Sequence, residues 1–126
     1  MSPRPRAVRI AAGLVALEGT ALALIGLAYG AAGLFADPFD RTATELQALL
    51  AVTAGLLLLL VSRGLSRTAG WARSPAVVTQ LFALPVGVGL AQGRVWWAAV
   101  PVLALAVAVL YTLATPDARA AYAPQD

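Results

Sequence analysis

Hydrophobic residues fall into four long runs along the chain, with short polar segments between them. The runs cover residues 10–34, 44–62, 75–91 and 95–114. A helix needs about 20 mostly apolar residues to cross the hydrocarbon core of a bilayer. Polar and apolar residues do not alternate with a period of two, as they would in a membrane β-barrel. The pattern therefore predicts an all-α chain with four transmembrane helices.

Residues that break or cap helices lie between the runs. Asp37-Pro38-Phe39-Asp40 ends the first run, because proline cannot continue a helix. Ser74 and Pro75 predict the start of the third helix, since serine is a good N-cap and proline a good first residue. Gly93 is expected in a left-handed conformation after that helix. These short connections predict a single domain, an antiparallel four-helix bundle, followed by a loosely ordered tail after residue 114.

Composition supports a membrane protein and excludes several kinds of site. Of the 126 residues, 60% are hydrophobic and 12% are charged, whereas soluble domains have about 25% charged residues. Histidine and cysteine are absent, so the usual zinc sites, axial haem ligand pairs and thiol chemistry are excluded. We expect no metal and no cofactor. The net charge of +3 does not indicate nucleic-acid binding, because the arginines lie in clusters beside apolar runs.

The positions of the nine arginines predict an orientation in the bilayer. Seven lie at the N-terminus, between runs two and three, or in the tail: Arg4, Arg6, Arg9, Arg63, Arg67, Arg73 and Arg119. Only Arg41 and Arg94 lie on the opposite side. Because arginine and lysine are enriched in cytoplasmic loops of membrane proteins, both termini are expected to be cytoplasmic.

The first run carries a continuous series of small residues, and two prolines interrupt later runs. The series is Ala12, Ala16, Gly19, Ala23, Gly26, Gly30 and Gly33, spaced by three or four residues. Small residues allow membrane helices to approach closely. The series therefore predicts a packing seam, either against another helix of the chain or against a second copy. Pro85 and Pro101 remove helical hydrogen bonds and are expected to kink the third and fourth helices.

Glu18 is the one ionisable residue well inside a hydrophobic run. At about 1.5 Å per residue, Glu18, Gln80 and Thr53 lie in one layer, about 10–15 Å from the arginine-rich side. We therefore predict an intramembrane polar cluster of Glu18, Thr20, Thr53 and Gln80, with a hydrogen bond between Glu18 and Gln80. An unpaired charge at this depth costs several kcal/mol. Three interpretations stay open: a structural hydrogen bond, a proton- or cation-linked role, and contact with a partner protein.

Three segments carry a family resemblance. They are residues 16–19 (Ala-Leu-Glu-Gly), residues 73–81 (Arg-Ser-Pro-Ala-Val-Val-Thr-Gln-Leu) and residues 92–94 (Gln-Gly-Arg). With the arginine-only basic residues and the Ala/Leu-rich usage, they resemble small four-span integral membrane proteins of actinobacterial, high-GC type. The resemblance implies a bacterial cytoplasmic membrane and no particular reaction or ligand. A second likeness, in size and span number, is to the small accessory membrane protein of bacterial ATP synthase operons, whose basic and polar positions differ.

The sequence leaves two classes of function. It contains no paired carboxylates in a run, no Ser-His-Asp set and no phosphate-binding glycine loop, so we do not expect an enzyme. The first class is a non-catalytic accessory or assembly component that binds a partner or itself in the bilayer. The alternative is a proton- or cation-linked small transporter that works as an oligomer and uses Glu18.

Overall fold

The computed structural model describes residues 5–35 and 41–123, and helices account for most of them. The helices are α1 (Arg6–Phe35), α2 (Arg41–Ser66), α3 (Gly70–Gln92), α4 (Trp96–Ala114) and α5 (Pro116–Ala121). These two ranges contain no strand. The first four helices are long and apolar enough to cross a membrane. The all-α fold class and the four long helices are thus confirmed.

The four long helices form an antiparallel bundle. α1 packs along α2, and α3 packs along α4; α1 also contacts α4, and α2 contacts α3. Consequently α1 and α3 face each other across the diagonal of the bundle. The direction of packing is antiparallel: near one end the Ser62 hydroxyl of α2 donates a 2.7 Å hydrogen bond to the Ala12 carbonyl of α1. Near the other end, Gly33 of α1 lies against Glu45 of α2.

The hydrophobic core lies mainly at the end of the bundle where α1 begins and α5 docks. Its buried members are Val8, Ala11, Ala12, Val15, Leu58, Val61, Leu65, Ala72, Ala76, Val109, Leu113, Ala118 and Tyr122. The described arginines Arg6, Arg9, Arg63, Arg67, Arg73 and Arg119 belong to the same end, which we call the basic end. Bulky apolar side chains such as Ile25, Leu57 and Phe82 are exposed on the outside of the bundle. Small residues inside and large apolar residues outside are typical of a membrane bundle, because lipid solvates the outer surface.

The start of α3 differs from the sequence prediction. α3 begins at Gly70, so Pro75 lies inside the helix rather than at its first position. Ala72, in the extra turn, is completely buried in the core. Burial of this turn at the basic end stabilises the helical residues that precede Pro75. Local capping preferences do not contain this long-range contribution. α3 and α4 are continuous helices through Pro85 and Pro101, and the expected kinks remain predictions.

The left-handed residue after α3 is Arg94, not Gly93. Gly93 has a φ of −79°, whereas Arg94 has a φ of 62°. α3 ends at Gln92, one residue later than expected, and this shift moves the left-handed position by one residue. The Val95 amide donates to the Leu90 carbonyl at 2.8 Å, as in the Schellman motif that ends many helices. Thr68, with a φ of 53°, is the corresponding left-handed residue after α2.

The tail that was expected to be loosely ordered is ordered over its described residues. Thr115 caps α5, because its hydroxyl oxygen accepts a 3.3 Å hydrogen bond from the Ala118 amide. Pro116 stands at the start of α5, where proline is favourable. The Tyr122 hydroxyl then donates a 2.8 Å hydrogen bond to the Leu65 carbonyl of α2. The expectation was wrong because burial of Ala118 and Tyr122 anchors a segment too short to be stable alone.

Candidate functional site

Glu18 and Gln80 form a hydrogen bond in the interior of the bundle. Gln80 Nε2 donates to Glu18 Oε2 at 2.8 Å. Gln80 is completely buried, and Glu18 is partly buried. The bond joins α1 to α3, the two helices that face each other across the diagonal. This is the hydrogen bond predicted from the depths of the two residues along their helices.

The second polar atom of the Gln80 side chain is unsatisfied. Gln80 Oε1 is buried and has no hydrogen-bond partner among the described residues. A buried acceptor without a donor costs about 1–3 kcal/mol. A protonated carboxyl group beside an amide can donate one hydrogen bond and accept another, whereas a carboxylate can only accept. Gln80 Oε1 therefore keeps an unused hydrogen-bond acceptor position beside Glu18.

The arginines nearest to the pair along α1 and α3 lie closer to the basic end than the pair does. Arg9 precedes Glu18 by nine residues on α1, and Arg73 precedes Gln80 by seven residues on α3. One guanidinium nitrogen of Arg73 donates to the Leu113 carbonyl of α4 at 3.4 Å. This contact holds Arg73 at the C-terminal end of α4. Among the described residues, Gln80 is therefore the side chain that donates a hydrogen bond to Glu18.

Thr20 and Thr53 do not belong to the Glu18–Gln80 pair. Both side chains are exposed on the outer surface of the bundle. Thr20 follows Glu18 by two residues, which is about 200° around the helix. Thr53 is turned away for the same reason, because Gly55, two residues later, faces α1. Depth along each helix places these residues in one layer, whereas helix packing decides the direction in which each side chain points.

The small-residue seam of α1 lies against α2. A Cβ atom at Gly19 would stand 2.8 Å from the Gly55 carbonyl oxygen, and one at Gly26 would stand 2.9 Å from the Ala51 Cβ. Ala12, Gly19, Ala23, Gly26 and Gly33 are buried, while Ala16 and Gly30 are partly buried. The seam is therefore occupied within the chain. A second copy would have to displace α2 in order to use it.

The α2 side of this interface was not predicted from the sequence. Gly55 is packed so closely that a Cβ atom there would lie 2.6 Å from the Ala23 amide nitrogen. Ala48, Ala51, Gly55 and Ser62 recur at helical spacing on α2, and this pattern could have indicated the partner of the seam. The Ser62 hydroxyl contributes the hydrogen bond to the Ala12 carbonyl described above. Close backbone approach and one interhelical hydrogen bond hold α1 and α2 together.

Glu45 lies at the opposite end of the α1–α2 interface. A Cβ atom at Gly33 would stand 2.7 Å from Glu45 Oε1. This oxygen is buried and has no hydrogen-bond partner within the described ranges. On the same interface the Tyr29 hydroxyl donates a 3.3 Å hydrogen bond to Gln47 Oε1. Residues 5–35 and 41–123 contain no group of three or more acidic, histidine or cysteine side chains that could hold a metal ion.

Comparison with known proteins finds no relative for this chain. No protein-family model matches it, and no curated protein matches it. No solved structure matches it either. The fold and the Glu18–Gln80 pair are therefore the basis for any functional conclusion about this multi-pass helical bundle.

Proposed function

We propose that the chain is a non-catalytic component of a bacterial cytoplasmic membrane that binds a partner membrane protein, or itself, in the bilayer. The observation that carries this proposal is the Glu18–Gln80 contact across the bundle diagonal. A direct bond between diagonal helices fills the bundle axis at that depth. A single copy therefore acts through its outer surface rather than through an axial passage.

The chemistry of the chain supports a binding role over a catalytic one. The sequence has no histidine or cysteine, which are frequent general bases, nucleophiles and metal ligands. Glu18 is the ionisable residue deep in a hydrophobic run, and its described partner is an amide. The resemblance to small actinobacterial-type four-span proteins agrees with this proposal and stays a prediction.

Isolation of complexes from native membranes tests the proposal directly. The tagged full chain is extracted in a mild detergent, its mass is measured by light scattering, and co-purifying proteins are identified by mass spectrometry. We expect a stoichiometric partner or a defined dimer. An unrelated tagged four-span protein, treated in the same way, is the control. A monomer without any specific companion, both in detergent and in native lipid discs, would contradict the proposal.

The proposal also places both termini in the cytoplasm, with the basic end on that side. The chain has no cysteine, so single cysteines report on topology without a background signal. We expect Ser66→Cys to be protected from a membrane-impermeant maleimide in intact cells, and Gln92→Cys to be labelled. The opposite pattern would reverse the orientation, and labelling of both positions would contradict a crossing of the membrane by α3.

A second candidate function is transport of a proton or cation by an oligomer. Gln80 Oε1 beside Glu18 favours it, because this buried acceptor has no hydrogen-bond donor among the described residues. Proteoliposomes with a pH-sensitive or cation-sensitive dye would compare the wild type with Glu18→Gln. Glu45→Gln is the matched control at the other end of α1 and α2. Flux that only Glu18→Gln abolishes supports this candidate, and the absence of flux in the wild type removes it.

A further inference from the structure

The basic end of the bundle has a large excess of positive charge. Among the described residues, its six arginines are accompanied by one acidic residue at that end, Asp117 of α5. Arg6, Arg9, Arg63, Arg67 and Arg119 are exposed. None of these five forms an ion pair with an acidic side chain within residues 5–35 and 41–123. No described acidic side chain therefore neutralises the positive charge of these five arginines.

Two of these arginines share a groove with an apolar side chain. Arg6, Arg9 and Ile10 line one shallow groove that is widely open to the outside. Arg6 and Arg9 are three residues apart and so lie on neighbouring positions of one helix face. Two guanidinium groups in this arrangement offer several N–H groups in fixed planar geometry. Phosphate oxygens can accept hydrogen bonds from these N–H groups. The groove thus combines a phosphate-binding chemistry with an apolar wall.

An exposed apolar stripe continues from this groove along α1 towards the centre of the bilayer. Ile10 is 43% exposed, and Leu17 is 56% exposed one heptad later. Between them, a Cβ atom at Gly13 would have no atom within 4 Å. At 100° per residue, Arg6, Ile10, Gly13 and Leu17 lie within about 40° of one line along the helix. The stripe therefore has a shallow notch at Gly13, one turn below the arginines.

We propose that Arg6 and Arg9 bind the phosphate group of an anionic phospholipid, whose acyl chain lies along Ile10, Gly13 and Leu17. A ligand with a charged head and a long apolar tail matches both parts of this surface. Free phosphate would use the arginines alone, and a nucleic acid would leave the apolar stripe unmatched. The lipid belongs to the leaflet on the basic side, whichever side of the membrane that is. The site is independent of the proposed partner-binding role.

Native mass spectrometry of the full chain tests the site. The protein is titrated with phosphatidylglycerol, with zwitterionic phosphatidylcholine, and with inorganic phosphate as the free anion. We expect retention of phosphatidylglycerol in preference to the other two. The variant Arg6→Gln/Arg9→Gln should bind phosphatidylglycerol more weakly, by about fivefold for each arginine removed. Arg63→Gln/Arg67→Gln is the matched control, because it removes the same charge from the same end but outside the groove.

The outcomes separate this site from a diffuse charge effect. An equal loss of lipid in both double variants would overturn the proposal, and so would phosphate competing as well as the lipid. Preferential binding of a short RNA, titrated in the same way, would also overturn it. If the double variant does not fold, Arg9→Gln alone is used, together with Gly13→Phe, which fills the notch and should weaken lipid binding while all arginines remain. Unchanged lipid binding by both of these variants would contradict the proposal.

Discussion

Gln80 of α3 donates a 2.8 Å hydrogen bond to Glu18 of α1 across the diagonal of the bundle. The two helices make their main contacts with α2 and α4 rather than with each other. The pair is thus a polar link between the α1–α2 hairpin and the α3–α4 hairpin. Because lipid provides no hydrophobic force for helix association, such a hydrogen bond helps to stabilise the association of the two hairpins.

Replacement of Glu18 and Gln80 should show energetic coupling. We expect Glu18→Leu and Gln80→Leu each to lower the free energy of unfolding, and the two effects to be non-additive by about 0.5–1.5 kcal/mol. Reversible unfolding in mixed micelles, or steric trapping, gives the four stabilities of the cycle. Thr53→Val, on the exposed surface, is the control and should change little. Additive effects of the two replacements would show that the hydrogen bond contributes nothing to stability.

A methyl group at Gly55 should disrupt the α1–α2 interface. A Cβ atom there would lie 2.6 Å from both the Ala23 amide nitrogen and the Gly19 carbonyl oxygen. Backbone atoms cannot move aside as a flexible side chain can, so we expect Gly55→Ala to destabilise the fold by about 1–3 kcal/mol. Thermal or denaturant unfolding in detergent measures the change.

Two other glycines serve as controls for Gly55. A Cβ atom at Gly13 or Gly89 would have no atom within 4 Å. Alanine at these helical positions should stabilise the chain by about 0.5–1 kcal/mol, because it has the higher helix propensity. Equal effects of alanine at Gly55 and at Gly13 would contradict the close approach of α1 and α2.

Removal of the Tyr122 hydroxyl should loosen α5. This hydroxyl donates to the Leu65 carbonyl at 2.8 Å, so Tyr122→Phe should cost about 0.5–1.5 kcal/mol of stability near neutral pH. Hydrogen exchange should also become faster in α5 than in α1. Tyr111→Phe is the matched control, because Tyr111 is exposed. The same loss of stability in both variants would mean that the buried hydrogen bond is not its cause.

Burial raises the pKa of Tyr122 from 10.0 to about 12. The folded state therefore favours the neutral phenol, and ionisation favours the unfolded state. The contribution of Tyr122 is fully present below pH 10 and is lost as the pH rises from about 10 to about 12. We expect the stability of the wild type to fall more steeply in this window than that of Tyr122→Phe. Parallel curves would contradict a buried, neutral Tyr122.

The left-handed conformation after α3 belongs to Arg94 in the structure and to Gly93 in the sequence prediction. The two assignments predict different effects of substitution at these positions. Arg94 has a φ of 62°, so Arg94→Gly should stabilise the chain by about 1 kcal/mol through relief of backbone strain. Gly93 has a φ of −79°, and Gly93→Ala should be close to neutral. Unfolding of both variants in detergent compares them. Strong destabilisation by Gly93→Ala would support the sequence prediction instead.

The four long helices and the depth of the polar pair could be predicted from the sequence. A bilayer requires backbone groups to be satisfied within each crossing segment, so a long apolar run can form only a helix. Depth follows from counting residues at a fixed rise per residue, which placed Glu18 and Gln80 in one layer. The seam of α1 was also visible as a pattern, although its partner on α2 was not identified.

Tertiary structure decided which way each side chain faces and which weak elements become ordered. Thr53 shares the depth of Glu18 but faces outwards, because packing of Gly55 against α1 sets the rotation of α2. α5 and the first turn of α3 are ordered through burial of Ala118 and Ala72 in the core. Local sequence determines what can be a helix and how deep a residue lies. Contacts between segments distant in the chain determine the rotation of a helix and the order of a short segment.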